Sequence, residues 1–214
     1  MPNSIPRRPL PRRFFARPTA AVAHDLIGAT MWTEREGVVT AGRIIETEAY
    51  LGAGEDPASH AHRGPTPRAR VMFGPPAVAY VYFIYGMHHC FNVVTGRAGD
   101  GGAVLVRALD PLVGVAAMQA RRPGCRRERE LCAGPGRLCR ALGIDLAWNG
   151  LPLGRRVENL ANLCGPARVW ISGGRPPARV VATGRVGIRA ARDWPLRFCD
   201  PDGDGLTRRD GPRG

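Results

Sequence analysis

Glycine and proline recur throughout this chain and restrict how long any helix or strand in it can run. The 214 residues include 28 glycines and 20 prolines, which are typical of turns and interrupt regular structure. Hydrophobic residues nevertheless make up 44% of the chain, as in globular proteins. The sequence therefore predicts one loop-rich domain, which at this length can bury a substantial core.

Short strand-like and helix-like segments follow one another in an irregular order. We expect helices at 20–26 (capped by Thr19), 111–121 and 135–142, and strands at 38–50 (with a break near Gly42), 78–85, 103–109 and 180–188. The long polar segment 51–76 is of a length that is often functional when it lacks regular structure. Because the order contains no regular βαβ repeat, the pattern favours an α+β fold with an antiparallel sheet.

The chain is strongly basic, with a net charge of +13, and it contains arginine but no lysine. A basic surface favours a polyanionic partner, and arginine pairs well with phosphate oxygens. A genome of skewed base composition would also replace lysine by arginine, so the bias alone does not establish nucleic-acid binding. Without lysine, amine-based covalent catalysis could use only the terminal amine.

Both ends of the chain are rich in arginine, accompanied by proline at the N-terminus and glycine at the C-terminus. We expect residues 1–16 to form a flexible arm and residues 199–214 a flexible tail, each adding non-specific phosphate attraction. The chain shows neither the apolar core of a signal peptide nor a transmembrane run, which indicates an intracellular protein. The six cysteines, none in a Cys-x-x-Cys pair, are then expected to be reduced thiols.

Two carboxylates lie near the end of the predicted strand 38–50. Period-two geometry puts four side chains on one face, namely Ile44, Glu46, Glu48 and Tyr50. A carboxylate beside a reacting sugar carbon can orient and deprotonate water, so Glu46 and Glu48 are candidate acid/base residues. The alternative is that both pair with arginines such as Arg43 and Arg107.

Two histidines, His60 and His62, lie in the polar segment 51–76. A loop histidine is commonly an ordinary polar surface residue. Together with Glu48 and Asp56 these histidines could instead bind a divalent metal, but their spacing matches no recognised ligand pattern. The sequence therefore favours a site without metal.

Tyrosines dominate the predicted strand 78–85, where Tyr80 and Tyr82 share a face and Tyr85 precedes Gly86. Core packing is one explanation for such residues, and it applies to Tyr50 as well. The other explanation is base flipping, which needs aromatic walls for the extruded ring and a wedge that fills the gap in the duplex.

Several short sequence motifs follow one another along this chain. They are Glu46-Thr47-Glu48-Ala49-Tyr50-Leu51-Gly52, His60, Thr66-Pro67-Arg68, Met72-Phe73, Tyr80-x-Tyr82-x-x-Tyr85-Gly86-Met87, Asn92, Val104-Leu105-Val106-Arg107-Ala108-Leu109, Leu131-Cys132-x-Gly134-Pro135 and Pro195-Leu196-Arg197-Phe198. Together they resemble the alkyladenine (3-methyladenine) DNA glycosylases of the mammalian type, a family with bacterial members. The resemblance spans residues 17–198 and implies a single mixed α+β domain around a curved antiparallel β-sheet with flanking short helices.

The resemblance also implies roles for the matching residues. Glu48 would be the general base that activates water for attack on C1′. Around the flipped base, Tyr50 and Tyr82 would be stacking walls, and His60 would form a hydrogen bond with the base edge. Asn92 would crowd the exocyclic amine of guanine. Tyr85 would be the wedge that fills the gap in the duplex, Arg107 would belong to the phosphate and water network, and Arg68 would contact a phosphate.

These implications predict a monofunctional glycosylase of base excision repair. It would flip alkylated or deaminated purines, such as 3-methyladenine, hypoxanthine or ethenoadenine, out of double-stranded DNA and excise them by hydrolysis. It would act as a monomer, without metal, other cofactor, membrane or lyase step, in the nucleoid or cytoplasm if bacterial. The alternatives are a non-catalytic nucleic-acid binding protein and a metal-dependent nuclease built on Glu46, Glu48, Asp56 and His60.

Overall fold

The fold is known from a computed structural model that describes residues 8–158 and 165–206. The strands in these ranges are β1 (Thr30–Arg35), β2 (Val38–Tyr50), β3 (Ala79–Ile84), β4 (His88–Thr95), β5 (Gly102–Val113), β6 (Ala167–Ser172), β7 (Val181–Thr183) and β8 (Arg197–Cys199). The α-helices are α1 (Arg12–Phe15), α2 (Thr19–Asp25), α3 (Val115–Arg121) and α4 (Pro135–Leu142). Short 3₁₀ turns occur at Arg70–Phe73, Glu128–Glu130 and Leu146–Trp148.

The strands pair into one antiparallel sheet in the order β3-β4-β5-β2-β1-β6. The long strand β2 pairs with β5 along one edge, and its other edge is shared between β1, at residues 38–43, and β8, at residues 46–48. This division curls the sheet into a half-barrel, with short helices against it. The predicted α+β class and curved antiparallel sheet are confirmed.

An irregularity in the pairing of β2 with β5 changes which side chains share a face. Ile44 pairs with Leu109 and Glu46 with Ala108, so Ile45 has no partner; Thr47 then pairs with Val106, so Arg107 is skipped. Such bulges reverse the alternation locally and re-aim side chains. The predicted set of four is therefore wrong for Ile44, which belongs to the main hydrophobic cluster, whereas Glu46 and Glu48 both contact Arg107.

The two faces of the sheet have different tasks. One face carries the buried apolar side chains of the main core, among them Val81, Phe91, Val93, Val104 and Val106, and α2 and α4 belong to the same cluster. The opposite face carries the alternate residues Tyr80, Tyr82, Cys90, Asn92 and Leu105, which line a cavity. The predicted common face of Tyr80 and Tyr82 is thus confirmed, because their ring centroids are 5.5 Å apart.

Two predicted elements differ from those observed. The helix expected at 111–121 begins only at Val115, because β5 continues to Val113 beside β2 and Gly114 turns the chain with φ +72°. Of the strand expected at 180–188, only Val181–Thr183 is a strand. The rest follows an irregular path in which Arg185 is buried.

Two smaller predictions need correction. Thr19 begins α2 instead of capping it, and its hydroxyl accepts a hydrogen bond from the Thr95 hydroxyl (3.0 Å). Near Gly42 the strand β2 does not break, because its pairing with β5 absorbs the irregularity as a shift of register.

The packed domain extends beyond the predicted limits 17–198. Phe15 lies in α1 with 1% of its surface exposed and belongs to the core, and at the other end Asp200 is buried and bound by Arg43. The flexibility of the remaining arm and tail stays a prediction, and residues 1–7, 207–214 and Cys164 lie outside the described ranges. Within those ranges no helix has the length and apolarity needed to cross a bilayer.

Helix α4 follows its sequence signals closely. Proline starts it, Gly143 ends it with φ +73°, and Leu138 and Leu142 are fully buried. We expect Leu138→Ala to lower the free energy of unfolding by about 2–5 kcal/mol, because the truncation leaves a cavity in the core. Urea denaturation measures this change. The control is exposed Arg137→Ala on the same helix, expected within about 0.5 kcal/mol of the parent protein; equal losses in the two variants would contradict the packing.

Candidate active site

Glu48 lies on β2 with its side chain fully buried. Three groups donate hydrogen bonds to its carboxylate. The Tyr50 hydroxyl (2.9 Å) and Arg107 Nη1 (3.1 Å) donate to Oε2, and the backbone N–H of Val186 (2.7 Å) donates to Oε1. An ionised carboxylate only accepts hydrogen bonds, so this set of donors matches it. The geometry holds a buried carboxylate in one orientation at the edge of the cavity.

Glu46 belongs to the same network but faces other partners. Its Oε1 accepts from Arg107 Nε (3.0 Å) and from Arg197 Nε (2.7 Å), and all three side chains are buried. Burial by itself lowers the pKa of Arg107, but the carboxylates of Glu48 and Glu46 raise it above its ordinary value. The predicted pairing of both carboxylates with Arg107 is confirmed.

The other predicted partner, Arg43, lies in a separate cluster. Its guanidinium donates hydrogen bonds to Asp110 (2.8 Å) and Asp200 (2.5 Å), and not to Glu46 or Glu48. That prediction was wrong, because the bulge near Ile45 separates Arg43 from the face that carries the two glutamates.

Beside Glu48 the sheet and the loops enclose a cavity of about 370 Å³. This is within the range of small-molecule sites, roughly 300–1,000 Å³. Most of the predicted site residues line it, namely Tyr50, His60, Tyr82, Tyr85, Asn92 and Arg107. Glu48 contacts the lining through Tyr50 and Arg107. The fold therefore brings together residues that are spread over about sixty positions of the sequence.

Tyr50 and Tyr82 supply aromatic surface to the cavity. Burial, with a further contribution from Glu48, raises the pKa of Tyr50, and burial likewise raises that of Tyr82, so both hydroxyls keep their protons. A guanidinium lies over each ring: Arg185 is 4.8 Å from the Tyr50 centroid and Arg68 is 5.0 Å from the Tyr82 centroid. Arg68 does not line the cavity itself; it is exposed and donates to the Phe83 carbonyl (3.3 Å).

His60 lies at the cavity in the segment between β2 and β3, and part of its ring is exposed. Its Nδ1 is 2.9 Å from the Tyr80 hydroxyl, and its ring meets that of Tyr82 edge to face at 4.7 Å. Partial burial and the nearby charge of Arg68 lower the pKa of His60 to about 4. His60 is therefore neutral at neutral pH. His62 does not line the cavity.

Asn92 and Tyr85 occupy opposite extremes of exposure. Asn92 is 3% exposed, and its Nδ2 donates to the Tyr80 carbonyl (3.0 Å), which fixes the amide on the cavity wall. Tyr85 is 78% exposed at the turn between β3 and β4. Tyr85 and Gly86 both have positive φ, +55° and +67°, and the Met87 N–H donates to Ile84, which are features of a type I′ hairpin turn. Tyr85 and Met87 thus form an exposed apolar tip beside the cavity.

Sequence reasoning missed Arg185 and Val186, and it assigned Asp56 to the metal alternative. The structure instead places Asp56 in a fully buried, two-pronged ion pair with Arg185 (2.5 and 2.8 Å). Within the described ranges no group of three or more His, Cys, Asp or Glu side chains is arranged to hold a metal ion. Nothing in the local sequence marks Arg185 among so many arginines; only its contacts do.

A buried carboxylate beside an aromatic cavity is compatible with more than one kind of enzyme, so the class of protein follows from comparison with known proteins. Residues 13–203 match the family model described as methylpurine-DNA glycosylase. The chain belongs to the methylpurine-DNA glycosylase family, whose members act in DNA repair on alkylated bases.

Individual relatives support the assignment. The chain is 51% identical over 189 residues to a protein of Methanoculleus marisnigri, covering 88% of this chain and 93% of that one. It is 47% identical over 191 residues to a protein of Carboxydothermus hydrogenoformans, with the same two coverages. A Myxococcus xanthus protein is 44% identical over 203 residues, or 93% of each chain. Each of the three is named "Putative 3-methyladenine DNA glycosylase".

The lowered pKa of His60 makes a pH-dependent contribution to stability. Below pH 6.5, its ordinary pKa, His60 binds a proton in the unfolded chain, whereas in the folded protein it stays neutral down to about pH 4. His60 therefore does not affect the free energy of unfolding above about pH 6.5, and it lowers that free energy progressively as the pH falls to about 4. We therefore expect His60→Asn to flatten the loss of stability across this window, as measured by urea denaturation at several pH values. Parallel curves for the two proteins would contradict the assignment.

Proposed function

We propose that this protein is a monofunctional glycosylase that removes alkylated or deaminated purines from double-stranded DNA by hydrolysis, with Glu48 as the general base. One observation carries the proposal: a buried carboxylate, held by three donors, lies at the edge of an aromatic cavity of a size suited to a flipped base. Alkylated purines such as 3-methyladenine, and hypoxanthine and ethenoadenine among neutral lesions, are the proposed substrates.

The chemistry assigns a simple task to Glu48. As the N-glycosidic bond breaks, its electron pair leaves with the purine and positive charge develops on the sugar. The Glu48 carboxylate stabilises that charge and accepts a proton from the water that bonds to C1′. Tyr50, Arg107 and the Val186 N–H hold the carboxylate in place meanwhile. A cationic alkylated purine leaves as a neutral base, whereas a neutral lesion takes up one proton from solvent as it leaves. Glu48 then returns its proton to solvent, and the backbone remains intact with an abasic site.

Recognition of the base follows from the groups on the cavity wall. A cationic alkylated purine between Tyr50 and Tyr82 gains roughly 0.5–2 kcal/mol of cation–π attraction over an uncharged one. Neutral His60, with a pKa of about 4, is a poor proton donor at neutral pH. We assign it to recognition instead: if Tyr80 donates to Nδ1, the other ring nitrogen carries the hydrogen and offers it to an acceptor on the base edge. Among uncharged purines, the amino group of adenine provides no such acceptor, so this contact favours hypoxanthine and ethenoadenine. The amino group remains in 3-methyladenine, which is favoured instead by its positive charge. The fixed amide of Asn92 supports the exclusion of guanine.

The proposal extends to the DNA and to the assembly. The positive charge attracts the duplex, Arg68 is exposed beside the cavity, and Tyr85 presents a large side chain with which to fill the gap left by a flipped base. One chain contains all the residues that the reaction needs, so we propose a monomer. The absence of lysine supports the absence of a lyase step.

A single experiment separates this function from the two alternatives. The protein is incubated with duplexes containing hypoxanthine or ethenoadenine, with a chelator present, and strand breaks are scored before and after alkali. We expect breaks only after alkali. Breaks that precede alkali and disappear with the chelator would support a nuclease, and the absence of breaks despite tight binding would support a binding protein.

The role of Glu48 has its own test. Glu48→Gln keeps the size of the side chain but removes the base, so we expect the excision rate to fall by about 100-fold or more. Binding of the lesion duplex should persist, as measured by fluorescence anisotropy. The control is Glu55→Gln, an exposed glutamate seven positions along the chain, which should excise normally. Normal excision by Glu48→Gln would contradict the proposed mechanism.

The role of Tyr85 is tested by changing the substrate. A duplex needs its gap filled and a single strand does not, so Tyr85→Ala should lower excision from a lesion duplex by about tenfold and leave excision from the matching single strand less affected. Leu112→Ala, which removes another exposed apolar side chain, serves as the control. Equal losses on the two substrates would remove Tyr85 from the wedge role.

A further inference from the structure

Arg185 is a buried arginine to which the proposed chemistry assigns no task. Only 3% of its surface is exposed, and a guanidinium is held in the interior only where its charge is matched. It lies in the irregular segment after β7 that passes along the cavity. Its contacts reach two other segments of the candidate site, and it is adjacent in sequence to a residue that binds Glu48.

The first contact is with the loop that carries His60. Arg185 Nη1 and Nη2 bind the two oxygens of Asp56, at 2.5 and 2.8 Å, with both side chains fully buried. Asp56 also organises the loop itself, because its carboxylate accepts from the N–H groups of Leu51 (3.1 Å) and Ala58 (3.0 Å). Burial alone raises the pKa of Asp56, but hydrogen bonds from Arg185 and the backbone lower it below its ordinary value. The pair therefore anchors the loop a few residues before His60.

The second contact is with the end of β2. Arg185 Nη1 also donates to the Ala49 carbonyl (3.0 Å), and the guanidinium carbon is 4.8 Å from the centroid of the Tyr50 ring. A cation over the face of a tyrosine attracts the ring and restricts its tilt. Tyr50 in turn donates to Glu48 and lines the cavity. Arg185 thus supports one aromatic wall from outside.

The third connection is covalent. The residue after Arg185 is Val186, whose N–H makes the 2.7 Å hydrogen bond to Glu48 Oε1. A backbone N–H donates well only when its peptide is correctly oriented. The segment 184–188 belongs to no strand, so sheet pairing does not fix that peptide. The side chain of the preceding residue, Arg185, is fixed by three hydrogen bonds to Asp56 and Ala49 and so anchors the chain next to that peptide.

We propose that Arg185 is a positioning residue for excision, which acts through Asp56, Tyr50 and Val186. Through them it holds in place the loop that carries His60, the Tyr50 ring as one stacking wall, and the backbone N–H that donates to Glu48. The inference rests on the proposed role of Glu48. Arg185 acts through these neighbours and does not itself touch the flipped base. Two N–H groups aimed at one carboxylate and a third contact at Ala49 require the planar fork of arginine, which lysine does not provide.

Arg185→Lys is the direct test, because it keeps the positive charge and removes the fork. Excision of ethenoadenine from a duplex is measured under single-turnover conditions over a range of enzyme concentrations. We expect the maximal rate to fall by about 10- to 100-fold, since small misplacements of reacting groups have effects of that size. The enzyme concentration at half-maximal rate should change by less than about threefold, because contacts to the DNA backbone remain.

The matched control is Arg43→Lys. Like Arg185, Arg43 is bound by carboxylates, those of Asp110 and Asp200, but it is only partly buried and does not line the cavity. We expect the Arg43→Lys variant to unfold at a lower temperature but to keep the maximal excision rate of the parent enzyme while it is folded. A thermal melt of each variant establishes that the enzyme assayed is folded.

Asp56→Asn supplies a second, independent variant that keeps the acceptor oxygen but removes the charge. If the pair works as a unit, Asp56→Asn should reproduce the loss of maximal rate, and the double variant should lose no more than the worse single variant. Should Arg185→Lys fail to fold, Asp56→Asn decides the matter alone. A maximal rate within about twofold of the parent in the folded variant, or single losses that multiply in the double variant, would overturn the proposal.

Failure of this inference is distinguishable from failure of the proposed function. If Glu48→Gln is inactive and Arg185→Lys excises normally, only the positioning role is lost. If Glu48→Gln excises normally, the general base has been misassigned and the role of Arg185 is lost with it.

Discussion

The ion-pair network around Arg107 is the constraint on which the site depends. Two glutamates with fully buried side chains lie near one another on β2, and such charges are tolerated in the interior only when they are paired and hydrogen-bonded. Arg107 joins them by donating to both, and Arg197 adds a second guanidinium at Glu46. The network therefore approaches local neutrality, while the Glu48 carboxylate is bound by three residues that line the cavity. Removing one partner of a buried pair typically costs about 3–5 kcal/mol, so this chemistry and the fold cannot be separated there.

The geometry of that network depends on a defect in the sheet. A regular ladder between β2 and β5 would pair every residue, but the observed register skips Ile45 on one strand and Arg107 on the other. The defect lets the core face continue through Ile44 and Leu109 while Arg107 is aimed at the glutamates. One face of the sheet can then pack its apolar side chains against the helices while the other face directs polar and aromatic side chains to the cavity.

Sequence patterns predicted those parts of the structure that depend on local alternation or local turns. The common face of Tyr80 and Tyr82 and the limits of α4 follow from neighbouring residues alone. The family resemblance added His60, Asn92 and Tyr85, which also line the cavity. The path of residues 184–188 was not predictable in this way. Its β-branched residues indicate a strand, yet its conformation is set by Asp56 and Glu48, more than a hundred positions away. Long-range partners likewise decide that Ile44 faces the core and that Arg43 binds Asp200.

The turn at Tyr85 has a consequence for how the tip meets DNA. A tyrosine in the left-handed region is uncommon and costs of order 1–3 kcal/mol of backbone strain, which the hairpin sustains by closing on Gly86. That conformation is set when the protein folds, before any duplex is present. A tip whose shape already exists loses little entropy on contact, so in the proposed wedge role it would test one base step after another and dissociate quickly. In that proposed role the duplex, and not the tip, would deform, and weakly stacked or mispaired steps would deform first.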